Sequence, residues 1–133
     1  MSANQLNPVA TDIVAFDTED FAGGDLSRSG NTITGLQLGH VYLIVCDAHI
    51  FGVTGFMQLQ AYDVASAAAL KTWIVRMAGY STNAAGGQML SFIYAPPADT
   101  SIRIEVVSLT AGMDVYADQN GKSYFSVLDL GVK

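Results

Sequence analysis

The sequence predicts an all-β domain, a sandwich or barrel, on three observations. About eight short runs rich in β-branched and aromatic residues are separated by turn signals at fairly regular spacing. Two of these runs, 56–62 and 101–106, alternate apolar and polar residues with the period of two that a half-buried strand requires. The run 122–131 near the C-terminus keeps that period but is apolar on both faces, with Phe125 and Val127 on one and Tyr124, Leu128 and Leu130 on the other. A sheet with one wet face does not produce that pattern. The strand is therefore expected to bury its second face against another copy of the chain, the alternative being a helix or the N-terminal arm of the same chain.

Composition points the same way. The 133 residues make one domain, large enough to bury a core without disulfide staples. Charged residues are 14% of the chain, against roughly 25% in average soluble proteins, and the mean hydropathy is +0.32. No apolar run approaches the ~20 residues of a membrane helix. Low charge without a membrane span suggests burial between subunits, and no membrane partner is expected. A net charge of −6 and a pI of about 4.4 would repel a phosphate backbone, so nucleic acid is not an expected partner. The opening residues Met1–Pro8 lack the basic flank and apolar core of a signal peptide, and the expectation is a protein made and used without export.

Taken in order, residues 1–12 are polar, contain Pro8, and are expected to form an extended arm outside a domain of residues 13–133. Residues 13–16 are a short strand candidate. Residues 17–30 carry Gly23-Gly24 and the acidic cluster, and they read as a loop. Residues 31–34 form a short strand. The near-continuous apolar run 40–51 suits a fully buried strand. After a turn at 52–55, the next strand turns Met57, Leu59 and Ala61 inward and Gln58 and Gln60 outward. Residues 64–70 are alanine-rich and favour helix by propensity, whereas Thr72–Val75 favours strand. The expectation is an irregular link or short helical turn and then a strand at 71–78, with one amphipathic helix over 64–77 as the alternative. Residues 78–87 are a small-residue loop, and 88–94 a strand that Pro96-Pro97 ends. In the next strand Ile102, Ile104 and Val106 face inward and Arg103 and Glu105 face water. Asn120-Gly121 is a hairpin signal before the last strand.

Three stretches carry a family resemblance. They are the glycine-led entry Leu38-Gly39-His40-Val41-Tyr42-Leu43-Ile44-Val45, the strand pair at 88–108 joined by a tight turn, and the aromatic-Ser-aliphatic segment Tyr124-Phe125-Ser126-Val127-Leu128. Over residues 30–131 their order resembles the trimeric jelly-roll domain of the tumour-necrosis-factor and complement type. Bacteriophages use such domains as small trimeric knobs on heads, fibres and baseplates. The resemblance implies a jelly-roll β-sandwich assembled as a homotrimer, with the terminal strand and its neighbour lining the three-fold axis. The interface residues it implies are Tyr42, Ile44, Tyr124, Phe125, Val127, Leu128 and Leu130. The secreted members have a leader and a collagen-like or coiled-coil stalk; this sequence shows neither, which favours a virion protein over a cytokine.

Catalytic chemistry finds little support in the residue pattern. His40 and His49 flank Cys46 and Asp47, yet no recognised metal or nucleophile motif joins them. Cys46, the only cysteine, suits a small buried hydrophobe, and both histidines suit structural or surface roles. Asp17, Glu19 and Asp20 could bind Ca²⁺ through oxygen ligands but lack the spacing of a calcium loop; a solvated acidic loop is the default. No phosphate-binding loop, hydrolase elbow, zinc motif or dinucleotide fingerprint occurs, so no cofactor is expected. Among aromatics that could stack on a sugar, Trp73 better suits the core or an interface, and Tyr80 with Asn83 falls in the small-residue loop suited to distal binding.

The expected function is that of a non-enzymatic phage virion protein, a trimeric capsid decoration or cement piece. Its expected partners are itself and the major capsid protein or tail or fibre proteins, with Asn4, Gln5, Leu6 and Pro8 as capsid contacts. The alternative is a receptor-binding knob of a tail fibre or baseplate that grips a host glycan. A third reading, from another class, is a small glycan-processing or metal-dependent enzyme.

Overall fold

In the computed structural model, which describes residues 5, 8–16, 25–77, 81–115 and 123–133, every regular element is a β-strand. These are β1 (Ser27–Ser29), β2 (Thr32–Leu36), β3 (His40–Gly52), β4 (Gly55–Asp63), β5 (Ala68–Met77), β6 (Ser81–Tyr94), β7 (Thr100–Leu109), β8 (Met113–Val115) and β9 (Tyr124–Val132). They form two antiparallel sheets. One has the order β1-β2-β7-β4-β5; the other is built around β3, with β6 on one edge and β8 and β9 on the other. The sheets face each other as a β-sandwich.

Strand parity explains the core. The even residues of β3, Tyr42, Ile44, Cys46, Ala48 and Ile50, are buried, as are Met57, Leu59 and Ala61 of β4, Val75 of β5, and Ile102, Ile104 and Val106 of β7. Each large aliphatic side chain so buried contributes roughly 1.5–3 kcal/mol relative to exposure. The chain approaches itself closely at Gly52, whose φ of +122° and contact with the Gly112 carbonyl leave no room for a Cβ.

Several expectations change. The run 40–51 is a single strand, but it is not buried on both faces: its odd residues are only half-buried, because the inner sheet face alone meets the other sheet. The alanine-rich segment forms a turn at 64–67, with Ala67 at φ 52°, and β5 starts at Ala68 rather than 71. Pairing of Asp63 with Ala68 and Tyr62 with Ala69 overrides helix propensity there. Residues 81–87 belong to β6 rather than to a loop. Asn120-Gly121 lies outside the described residues, but β8 and β9 do not pair as a hairpin. Both run antiparallel to β3, β8 against 50–52 and β9 against 40–47, so they are successive pieces of one edge.

The largest departure is at the N-terminus. Gln5 exchanges backbone hydrogen bonds with Val115, at 3.1 and 3.0 Å. The Thr11 N–H donates to the Val106 carbonyl (2.8 Å), the Val106 N–H to that of Asp12 (2.9 Å), and the Val14 N–H to that of Ile104 (2.8 Å). Residues 11–14 thus lie along the stretch of β7 beyond the end of β2. The Gln5 amide clamps this strap by donating to the Ile13 carbonyl (3.2 Å) and accepting from the Ala15 N–H (3.0 Å). Pro8 is buried. Among the described residues of 1–12, then, the expected free arm is part of the domain, because two sheet edges offer it backbone partners that water would otherwise have to satisfy.

Gln5→Ala should lower unfolding stability by about 1–2 kcal/mol, the cost of leaving part-buried backbone groups without partners. Urea denaturation followed by Trp73 fluorescence checks this, and an unchanged midpoint would mean the strap is incidental to the fold.

Candidate self-association face

The outer faces of the two sheets differ in kind. On the β1-β2-β7-β4-β5 sheet the outward side carries the apolar Phe56 and Ile74, but along β4 and β7 several outward residues are polar and bonded to one another. Gln60 Nε2 donates to Glu105 Oε2 (2.8 Å), and Arg103 donates to Glu105 Oε1 through Nε (2.7 Å) and Nη2 (2.6 Å). The Arg103 guanidinium lies 5.1 Å from the Tyr62 ring centroid, and Ser108 Oγ bonds Gln58 (3.1 Å). Glu105 is 7% exposed, which corrects its expected placement in water; the strap residue Ile13 pairs beside it.

The outer face of the β3 sheet is apolar. The register sets Ile93, Leu43 and Leu128 in one row, Ser91, Val45 and Ser126 in the next, and Met89, Asp47 and Tyr124 in a third. Met89, Ile93, Leu128 and Leu130 are each more than half exposed, and Tyr124 is 38% exposed. Large apolar side chains scattered singly over a surface need no explanation; here they adjoin one another on three neighbouring strands.

This geometry sorts the residues expected at a trimer interface. Tyr124, Leu128 and Leu130 lie on the outer face. Tyr42 and Ile44 do not: they are buried within the single chain, and Phe125 and Val127 are half-buried against the same core. Parity is the reason, since Ile44 pairs with Val127 and Phe92 on the inner face while Leu43 pairs with Leu128 and Ile93 on the outer. The outward residues that sequence reasoning missed are Val41, Leu43, Val45, Met89 and Ile93. Their signal was available in the period of two, once the inner set was known.

At one end of the face, His49 Nε2 lies 3.1 Å from Asp47 Oδ2, and the His49 N–H donates to Ser123 Oγ (3.0 Å). Asp47 Oδ1 is shut off from solvent with no hydrogen-bond partner. The Tyr124 hydroxyl donates to Met89 Sδ (3.3 Å) across β3 at this level. His40 Nδ1 pairs with Asp129 Oδ2 at 2.8 Å near the start of β3, on the parity of Tyr42 rather than that of the outer face. The carboxyl of Asp129 is held below its usual range, first by the Gly131 N–H and then by His40.

Other sequence candidates are separated by the fold. Cys46 faces the core, where burial pushes its thiol pKa far up, whereas Asp47 and His49 lie on the outer side of the strand, so they form no nucleophile and base pair. Among the described residues no group of three or more His, Cys, Asp or Glu side chains could hold a metal. Asp17, Glu19, Asp20, Tyr80, Asn4 and Leu6 lie outside the described residues, and Asn83 falls within β6. Trp73 is a core residue. An apolar groove of about 400 Å³ between Pro8–Ala10 and Leu109, Ala111 and Gly112 is lined by no titratable side chain among the described residues.

One polar cluster had no sequence signal. Asp63, 1% exposed, accepts from the Tyr94 hydroxyl, from Thr100 Oγ1 (2.5 Å) and from the Ser66 N–H (3.0 Å). Burial alone would raise its pKa, but these donors outweigh burial and hold the carboxyl below the usual range. The same bond pushes the Tyr94 hydroxyl pKa up, after burial. The cluster ties the β4–β5 turn to the start of β7 and the end of β6. It is structural, with every carboxylate oxygen engaged.

No protein-family model matches the chain, and a search among curated proteins returns no significant match.

Asp63→Asn should cost about 2 kcal/mol, since a network built for a carboxylate loses charge-assisted bonds. Because the folded pKa lies below the unfolded value of about 3.9, this stability is fully present above that pH and is lost as pH falls through the folded value. Acid titration monitored by circular dichroism should therefore show a shallower acid limb for the variant than for the wild type. Arg103→Ala should cost about 1–3 kcal/mol by stranding the buried Glu105 carboxylate, and adding Glu105→Gln should recover part of it in thermal melts.

Proposed function

We propose that the chain is a non-enzymatic structural protein of a phage virion, a jelly-roll homotrimer that decorates the particle, most naturally the capsid. The observation that carries this reading is the exposed apolar outer face of β6-β3-β9. Its occupant is further copies of the same chain. Among the described residues its charged groups, Asp47 with His49 and Asp114, gather at one end. A sheet face that is otherwise free of charge is suited to meeting copies of itself around a symmetry axis, and the low charge of the whole chain fits the same end.

The strand order supports a jelly roll. The chain passes from one sheet to the other between β2 and β3, β3 and β4, β5 and β6, β6 and β7, and β7 and β8. Such repeated crossing belongs to double-sheet Greek-key architectures. The resemblance to trimeric jelly rolls of virions supplies the assembly and the setting. Against a hydrolase or metal enzyme stands the placement of Cys46 and His49 on opposite faces of β3, with the buried carboxylate of Asp63 fully bonded.

Sedimentation equilibrium at micromolar concentration should return a trimer. Leu128→Asp should return a folded monomer, because it places a charge on the outer face only, while Ile44→Asp should not fold, because a lone buried carboxylate costs several kcal/mol (roughly). The wild-type trimer should load onto phage heads stripped of decoration. A wild-type monomer would overturn the assembly, and failure to load would overturn the virion role.

A further inference from the structure

We infer that the Asp47–His49 pair makes self-association of the β3-sheet face dependent on proton concentration, with acid favouring assembly. The inference rests on the reading that this face closes against other copies of the chain. It starts from an imbalance within one chain. Asp47 has one oxygen without solvent or partner and a second held by a single imidazole. Tyr124 and Met89 join over the strand at this point, so the carboxylate already sits in a partly dry place on an otherwise apolar surface.

Closing the face removes more water from the pair. A carboxylate in a desolvated interface is costly unless a cation accompanies it. The groups that face it from the packed elements supply no described cation other than His49. On β9 the opposite residue is Tyr124, and on β6 the residues opposite Asp47 and His49 are Met89 and Gly87. On β8 the nearest outward residue is Asp114, paired with Phe51, a further acid. Lys122, next in sequence to Ser123, lies outside the described residues.

Protonated His49 compensates Asp47, and neutral His49 does not. The assembled state therefore holds the imidazole proton more tightly than the separate chains do. By linkage, that contribution to assembly is fully present below the titration of the separate chain and is lost as pH rises through the titration of the assembled form. Imidazole is the side chain whose charge ordinarily changes between about pH 5 and 8, so the experiment spans that range.

Sedimentation velocity on the full chain at pH 6, 7 and 8 tests this. For the wild type the association constant should fall at least about tenfold from pH 6 to pH 8, the effect of one linked proton across about one pH unit. Asp47→Asn should abolish the dependence and associate at pH 8 as well as it does at pH 6. His40→Gln should leave the dependence in place, which separates it from titration of the His40–Asp129 pair. A wild-type trimer whose association constant is flat in pH overturns the inference and leaves self-association intact, as does an Asp47→Asn variant with the wild-type slope. A wild type that is monomeric at all three pH values overturns both.

Discussion

The sandwich depends on β3 keeping one register for thirteen residues. It is hydrogen-bonded along both edges, to β6 on one side and to β9 and β8 on the other, so its parity sets the parity of every strand in that sheet. A slip of one residue would exchange the buried set Tyr42, Ile44, Cys46, Ala48 and Ile50 for Val41, Leu43, Val45, Asp47 and His49. The first three members of each set are apolar and would pack in either position. Asp47 and His49 would not, because the slip would carry both charged groups into the core. The pair at the end of the face thus does for register what the apolar residues cannot.

The polar groups divide by role in a way that follows from where water is. On the outer face of the opposite sheet, Arg103, Glu105, Gln60 and Tyr62 satisfy one another. At the β4–β5 turn, Asp63 gathers three donors from three segments and holds them together. Among the described residues, the one buried carboxylate oxygen without a partner lies on the β3 face. The same face carries the exposed Leu, Ile, Met and Tyr side chains, so the unfinished polar chemistry and the unfinished hydrophobic burial coincide.

How much was legible in the sequence depended on whether water marked one face. In β4 and β7 the glutamines and Arg103 label the outer side, and the inward set Met57, Leu59, Ala61, Ile102, Ile104 and Val106 follows from them directly. Over 41–46 and 124–130 both faces are apolar, so the alternation was visible but its phase was not, and Tyr42 and Ile44 were assigned to the wrong side. The alanine-rich link misled through local propensity, which cross-strand pairing overrode. The strap was illegible for a different reason. Gln5 and residues 11–14 carry no strand pattern of their own and are placed by edges of β8 and β7 far along the chain. The network at Asp63 likewise joins residues from three distant segments.

That strap also sets an order of events. Gln5 pairs with Val115, and Ile13 with Glu105, so the strap is bound by residues made long after it. Contacts of such long sequence separation slow folding, because the chain entropy is lost before they form. A nascent chain must therefore complete β7 and β8 before the strap has a place to lie. Up to that moment the core strands β3 and β4 are made while the edges that hold the strap are not.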